Sequence, residues 1–254
     1  MNVLIIGLGS IAQKHISAIL NIEPDVVLYA LRSSKQGNNY LGVQNIYHLT
    51  DFTVKPDFII ISNPTQLHAG TILEVSDFGC PLFIEKPVLS DLSDAGLVVE
   101  RIDSKKIFTY IACNMRFHPA IEYLKQYLDE NDPVINEVNI YCGSYLPEWR
   151  PGRDFRQVYS ANAEMGGGVH LDLIHEIDYC KWLFGMPDKT TIVFRNVSTL
   201  GIDAMDFAHY EFLYKRFTAN ITLNYYRRDS KREIEIVTNN ETIVVDLIKN
   251  TVFA

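Results

Sequence analysis

The chain has 254 residues, 47% of them apolar, and a formal net charge of -8, which is enough to bury one large core or two modest ones. The acidic balance, with no Lys/Arg-rich block to override it locally, excludes a nucleic-acid footprint and points to a small partner. Cys80, Cys113, Cys142 and Cys180 are scattered without CxxC spacing, which argues against a zinc site or a disulfide framework and suits a reducing cytoplasm.

The opening Met1-Asn2-Val3-Leu4-Ile5-Ile6 carries no basic n-region, and no apolar run reaches membrane-spanning length, so neither a targeting segment nor a membrane partner is expected. Val3 to Ile6 runs into Gly7-Leu8-Gly9-Ser10-Ile11-Ala12 and then a helical pattern through Ile16, Ile19 and Leu20. Strand, glycine turn and helix in this order suit a dinucleotide pyrophosphate. The first glycine makes the tight turn, the second lets backbone approach the phosphates, and the small Ala12 allows close packing. Unpaired N-H groups and the helix dipole favour an anion there. A second strand, Val26 to Ala30, ends in Leu31-Arg32-Ser33-Ser34-Lys35. Arg32, Ser33 and Ser34 stand where an acid would read the ribose hydroxyls of NAD, so the pattern predicts NADP, with NAD as the alternative.

Asp57 to Ile61 reads as a buried strand ending in Ser62-Asn63-Pro64-Thr65, followed by a helix from Gln66 to Phe78 that begins at the capping-type Thr65 and stops at Gly79. Asn63, Pro64 and Thr65 are expected beside the dinucleotide, and His68 either faces it or packs. Pro81 to Ile84 is a further buried strand, followed at once by Glu85-Lys86-Pro87. Pro87 biases Lys86 away from αR, so the lysine is expected on extended backbone at the carboxyl edge of the sheet, where ligands dock in α/β folds. A helix from Asp91 to Arg101 and a strand from Lys106 to Ile111 complete an alternation that predicts a parallel sheet with right-handed crossovers.

After Pro133 the rhythm changes. Val134-Ile135 with Val138 to Tyr145, Thr190 to Val197, Phe207 to Leu213, Thr218 to Tyr226, Arg232 to Val237 and Thr242 to Leu247 read as strands of an antiparallel sheet. The insertion Leu146 to Gly185 holds Gly166-Gly167-Gly168 and then a helix predicted to show Asp172, His175, Glu176 and Tyr179 on one face. Before it, Trp149-Arg150-Pro151-Gly152-Arg153-Asp154-Phe155-Arg156 concentrates three arginines. Arg153 and Arg156 are candidates to grip an anionic part of a substrate, with Trp149 and Tyr159 stacking on a ring. No metal site is expected, since Asp172 and His175 have no evident third ligand.

Together, Gly7 to Ala12, Asn63 to His68, Glu85-Lys86-Pro87, Asn114-Met115-Arg116-Phe117 and the block from Gly166 to Asp178 resemble the glucose-fructose oxidoreductase, inositol dehydrogenase and MocA family (Gfo/Idh/MocA), over most of the chain. The resemblance implies an α/β fold: a doubly wound Rossmann domain at residues 1-113, and at 114-254 an α+β domain on a mostly antiparallel open sheet, often used for homodimers or homotetramers. It implies reversible oxidation of a sugar, cyclitol or nucleotide-sugar hydroxyl by NAD(P). Position by position, Lys86 matches the lysine that contacts nicotinamide region and substrate, and Asp172 and His175 match an acid-histidine pair. Glu85 falls with the cofactor residues and Arg116 with those for substrate. Many members place one residue more between that acid and histidine than Asp172-Leu173-Ile174-His175 does, and the chain is short for the family, so a strand or substrate loop is expected to be absent. His175 is then the expected general base, Lys86 the group stabilising alkoxide charge or sharing the proton, and Asp172 an orienter of substrate or histidine. Two rivals are a ligand-sensing protein that binds dinucleotide without turnover, and a reductase of a non-sugar carbonyl or imine.

Overall fold

Alternate residues of the N-terminal aliphatic run face opposite ways: Val3 and Ile5 enter one apolar cluster, Leu4 and Ile6 another. A strand buried on both faces in this way belongs at the centre of a sheet covered by helices on each side. The computed structural model describes residues 1-35 and 40-254, and the chain divides into two compact units, Met1–Ala112 and Cys113–Ala254.

The first unit runs β1 (Asn2–Ile6), α1 (Ser10–Ile22), β2 (Val27–Leu31), β3 (Gln44–Ile46), β4 (Phe58–Ile61), α2 (His68–Val75), β5 (Leu82–Ile84), α3 (Ala95–Lys105) and β6 (Thr109–Ile111). All strand pairs are parallel, in the order β3-β2-β1-β4-β5-β6. That is the doubly wound order 3-2-1-4-5-6 of dinucleotide folds. Three local expectations differ from the structure. The edge strand β3 was not predicted: its Gln-Asn-Ile has no alternation to read. The third helix begins at Ala95 instead of Asp91, because the Asp91 carboxylate accepts the Ser93 N-H at 2.8 Å and forms a turn in place of a first helical turn. Thr65 caps nothing; it opens a single 3-10 turn, Thr65–Leu67, ahead of α2.

The second unit contains α4 (Pro119–Asn131), β7 (Ile135–Tyr145), α5 (Val169–Asp172), α6 (His175–Phe184), β8 (Lys189–Arg195), β9 (Phe207–Leu213), β10 (Thr218–Asn224), β11 (Tyr226–Thr238), β12 (Thr242–Asp246) and β13 (Thr251–Phe253). The sheet order is β13-β12-β11-β7-β10-β9-β8. Every neighbouring pair is antiparallel except β7 with β10, so the sheet is mostly antiparallel, as expected. One face of the sheet, including Val138, Ile140, Ile221, Leu223, Ile234 and Ile236, forms a single core with Ile121 and Leu124 of α4 and Ile177, Cys180 and Leu183 of α6. The edge strand β8 is exposed at every residue.

The single helix expected through Asp172 and His175 is two. It breaks at Leu173, whose φ of -101° and ψ of 33° are not helical, and α6 restarts at His175. The i, i+3 argument for one shared polar face therefore fails, and Glu176 and Tyr179 are fully buried. The glycine run has a plain steric reason: a Cβ on Gly167 would lie 2.1 Å from the Tyr159 carbonyl oxygen and 2.6 Å from that of Asn162. Both tryptophans, Trp149 and Trp182, lie in this unit and report on it. Gly167→Ala is expected to lower its stability by about 3 kcal/mol, read as a shift of the urea midpoint of tryptophan fluorescence.

Candidate functional site

In the first unit the site is built at the carboxyl ends of the parallel strands. Gly7 ends β1 with φ +87°, and a Cβ there would come within 3.0 Å of the Asn63 backbone N and Cα. Only glycine satisfies both demands. Gly9 has open space where a Cβ would stand and gives α1 no side-chain cap. Gly9, Ser10 and Ile11 are exposed, Leu8 half-buried. An uncapped helix N-terminus under a glycine turn fits a pyrophosphate. Asn63 donates through Nδ2 to Thr71 Oγ1 at 2.8 Å. Its Oδ1 is buried with no donor among the described residues, the kind of acceptor a ribose hydroxyl or amide would satisfy. Pro64 is exposed and Thr65 half-buried. At the end of β2, Arg32 donates its N-H to Ile46 O at 2.9 Å, its guanidinium lies 3.4 Å from Asn45 Oδ1, and Ser33 and Ser34 are exposed.

Glu85 is buried, with Oε1 at 2.6 Å from His15 Nε2 and Oε2 accepting the Lys86 N-H at 3.2 Å. The Lys86-Pro87 peptide is cis. His68 is 1% exposed. Its Nδ1 lies 3.1 Å from both Pro87 O and Val88 O, and its Nε2 lies 3.0 Å from Asn63 O. The ring is thus packed between two loops of its own unit. Burial pushes its pKa below the ordinary histidine value, outweighing the carbonyl contacts that raise it.

In the second unit, the Asp172 carboxylate accepts the Tyr159 hydroxyl on Oδ1 at 2.6 Å and the Tyr225 hydroxyl on Oδ2 at 2.5 Å. Burial first, and the Asp172 charge second, push both phenols above their usual range. Glu176, with no exposed surface, accepts Arg232 Nε at 2.6 Å; burial pushes its carboxyl up against the pull of Arg232. Asp178 accepts a bidentate pair from Arg116, Nε at 2.8 Å and Nη2 at 2.5 Å. All three carboxylates in this stretch therefore have protein donors. His175 is buried in the first turn of α6. His170, one turn earlier, lies against the Phe194 ring at 4.5 Å, and burial lowers its pKa.

Several expected substrate residues have protein neighbours. Trp149 donates Nε1-H to Ser144 Oγ at 2.8 Å and meets the Tyr225 ring edge-on. Arg150, not Arg153, stacks over Tyr159, at 5.6 Å. Arg156 lies over the Phe155 ring at 4.6 Å and 4.0 Å from Asp154, while Arg153 is exposed. His15, Tyr225 and Arg232 went unread in the sequence, since their partners lie 70, 53 and 56 positions away. Among the described residues no group of three or more His, Cys, Asp or Glu side chains stands as a metal site, and no helix is long and apolar enough to cross a membrane.

Two histidines held neutral by burial set a pH dependence. A folded-state pKa lowered below the unfolded value near 6.5 contributes stability that is present above that value and is lost as pH falls beneath it. Urea denaturation followed by circular dichroism is expected to show falling stability from about pH 7 to pH 5. His68→Leu should be less stable than wild type at neutral pH, with a shallower acid slope.

Residues 1–111 match the family model described as an oxidoreductase family with NAD-binding Rossmann fold, GFO_IDH_MocA. The chain is 22% identical over 191 residues to the scyllo-inositol 2-dehydrogenase (NAD(+)) of Bacillus subtilis, covering 71% of this chain and 53% of that protein. Its fold is that of the WlbA dehydrogenase from Bordetella pertussis, solved in complex with NADH and UDP-GlcNAcA, with TM-score 0.87 at 17% identity over 100% of this chain and 76% of that one. UDP-N-acetylglucosamine 3-dehydrogenase GnnA from Acidithiobacillus ferrooxidans is also similar, with TM-score 0.76 at 20% identity over 99% of this chain and 78% of that one. The chain spans about half the length of the curated relatives it matches.

Proposed function

We propose that this chain is a cytoplasmic NAD(P)-dependent oxidoreductase of the Gfo/Idh/MocA type acting on a hydroxyl or carbonyl of a sugar, cyclitol or nucleotide sugar, a reading supported by the match of residues 1–111 to that family's NAD-binding Rossmann model. One observation carries the reading: Gly7 and the uncapped N-terminus of α1 stand in the doubly wound sheet that also ends β5 in Glu85-Lys86-Pro87. The similarity to a scyllo-inositol dehydrogenase, and to dehydrogenases named for or solved with UDP-sugars, supports the substrate class.

The dinucleotide supplies the hydride acceptor or donor when bound. Gly7, Gly9 and the first N-H groups of α1 would hold its pyrophosphate, and Asn63, Pro64 and Thr65 would contact it. Arg32, Ser33 and Ser34 would take a 2'-phosphate, which favours NADP. In the oxidation direction His175 is the proposed base for the hydroxyl proton, and the Lys86 ammonium is the proposed group that stabilises developing alkoxide charge or shares the proton. Asp172, gripped by two tyrosine hydroxyls, serves as a positioning residue for substrate or histidine. Arg153, exposed, remains the proposed contact for an anionic substrate group. Self-association through the exposed edge strand β8 belongs to the same proposal, with sedimentation velocity as its check.

Fluorescence titration is expected to show NADPH binding roughly tenfold tighter than NADH, with Arg32→Ala abolishing the difference. In a turnover screen over cyclitols, sugars and UDP-sugars, Lys86→Ala and His175→Ala should each lower kcat by about 100-fold or more at nearly unchanged dinucleotide Kd. Tight NADPH binding with no turnover of any member of the screen would favour a ligand sensor instead.

A further inference from the structure

Lys86 is held along the chain from both flanks by histidines that no assigned role yet uses. On one side, the Glu85 carboxylate meets His15 Nε2 at 2.6 Å and shares its second oxygen with the Lys86 N-H at 3.2 Å. His15 belongs to α1, and its ring packs edge-on against Phe83 of β5 at 5.1 Å, so that helix and strand are tied by one side chain. On the other side, the Pro87 and Val88 carbonyls face His68 Nδ1 at 3.1 Å, while His68 Nε2 faces the Asn63 carbonyl at 3.0 Å. We infer that His15 and His68 are positioning residues: a two-histidine brace that sets Lys86 relative to the N-terminus of α1 and the Asn63 loop. The inference rests on the role given to Lys86 above.

The chemistry favours imidazole at both places. A lysine reaching Glu85 would hold it through a flexible four-carbon stem, whereas the imidazole is a rigid plate with few torsions that both packs and hydrogen-bonds. At His68 the ring fills the gap between two loops with a carbonyl oxygen facing each nitrogen, and a neutral ring donates its one N-H to the carbonyls of one loop at a time. A carboxylate as buried as Glu85 needs donors, and removing His15 takes away its 2.6 Å side-chain contact and leaves the longer backbone one from Lys86. Loss of that contact loosens the loop that carries Lys86, and displacements of about 1 Å cost a reacting group about 100-fold.

The test reads Lys86 directly. Trinitrobenzenesulfonate labelling followed by peptide mass spectrometry gives its amine reactivity in the whole chain, without any substrate. His15→Leu is expected to change the Lys86 rate by roughly threefold or more, leaving Lys55 and Lys181 at wild-type rates. His15→Gln, whose amide can donate to Glu85, should return the rate toward wild type. His68→Leu should produce the same Lys86-specific change. With a substrate from the turnover screen, His15→Leu should lower kcat about tenfold at nearly unchanged dinucleotide KM. Wild-type Lys86 labelling in His15→Leu and His68→Leu would overturn the brace, as would equal acceleration at every lysine, which means general loosening. Lys86→Ala separates the two readings: if it turns over normally while His15→Leu still alters labelling, the brace stands and the catalytic assignment of Lys86 falls.

Discussion

A carboxylate with no exposed surface is tolerable only if something charged or strongly polar reaches it, and in the second unit that requirement organises the region around α6. Glu176 lies entirely inside, and Arg232 comes from β11 to meet it. Taking both groups out of water is expensive, and the contact repays that cost only when geometry is good. The pair therefore fixes helix against strand more than it adds stability. Two residues on, Asp178 is held by Arg116 with bidentate geometry in a partly exposed pair, and Tyr159 and Tyr225 grip the buried Asp172 with neutral donors. His175 is carried on a helix whose neighbouring acids are all engaged.

The first unit obeys the same rule at its sheet edge. There the buried acid is Glu85, its partner is His15, and the adjacent loop is filled by a histidine kept neutral by its own burial. Gly7 adds a steric constraint, because the backbone of the Asn63 loop occupies the volume a side chain would need. Polar satisfaction and one missing Cβ together define where the ends of β1, β4 and β5 lie.

The sheets were legible in the sequence because burial on two faces leaves continuous aliphatic runs and burial on one leaves alternation. Val3 to Ile6 and Phe207 to Leu213 could be read that way; Gln44 to Ile46 and Thr251 to Phe253 were too short to show a pattern, and the first is also polar. Helix starts were less legible, since Asp91 signals a cap and a turn equally well, and only the Ser93 contact decides which. The break at Leu173 left no local mark, as Leu-Asp-Leu-Ile-His is good helical sequence.

What the sequence by itself determined was the repertoire: a glycine turn between strand and helix, a lysine before a proline, an arginine and two serines after the second strand, and an acid-histidine pair after three glycines. Those are local facts, carried by backbone sterics and side-chain type. Which of these groups is held, and by what, was decided only by tertiary structure. Trp149 turned out to be a donor to Ser144 packed on Tyr225, Arg116 a partner of Asp178, and His68 a packed ring. The reason is physical: a buried polar group is satisfied by whichever donor the fold brings near, and His15 for Glu85, Tyr225 for Asp172 and Arg232 for Glu176 each lie more than fifty residues away along the chain.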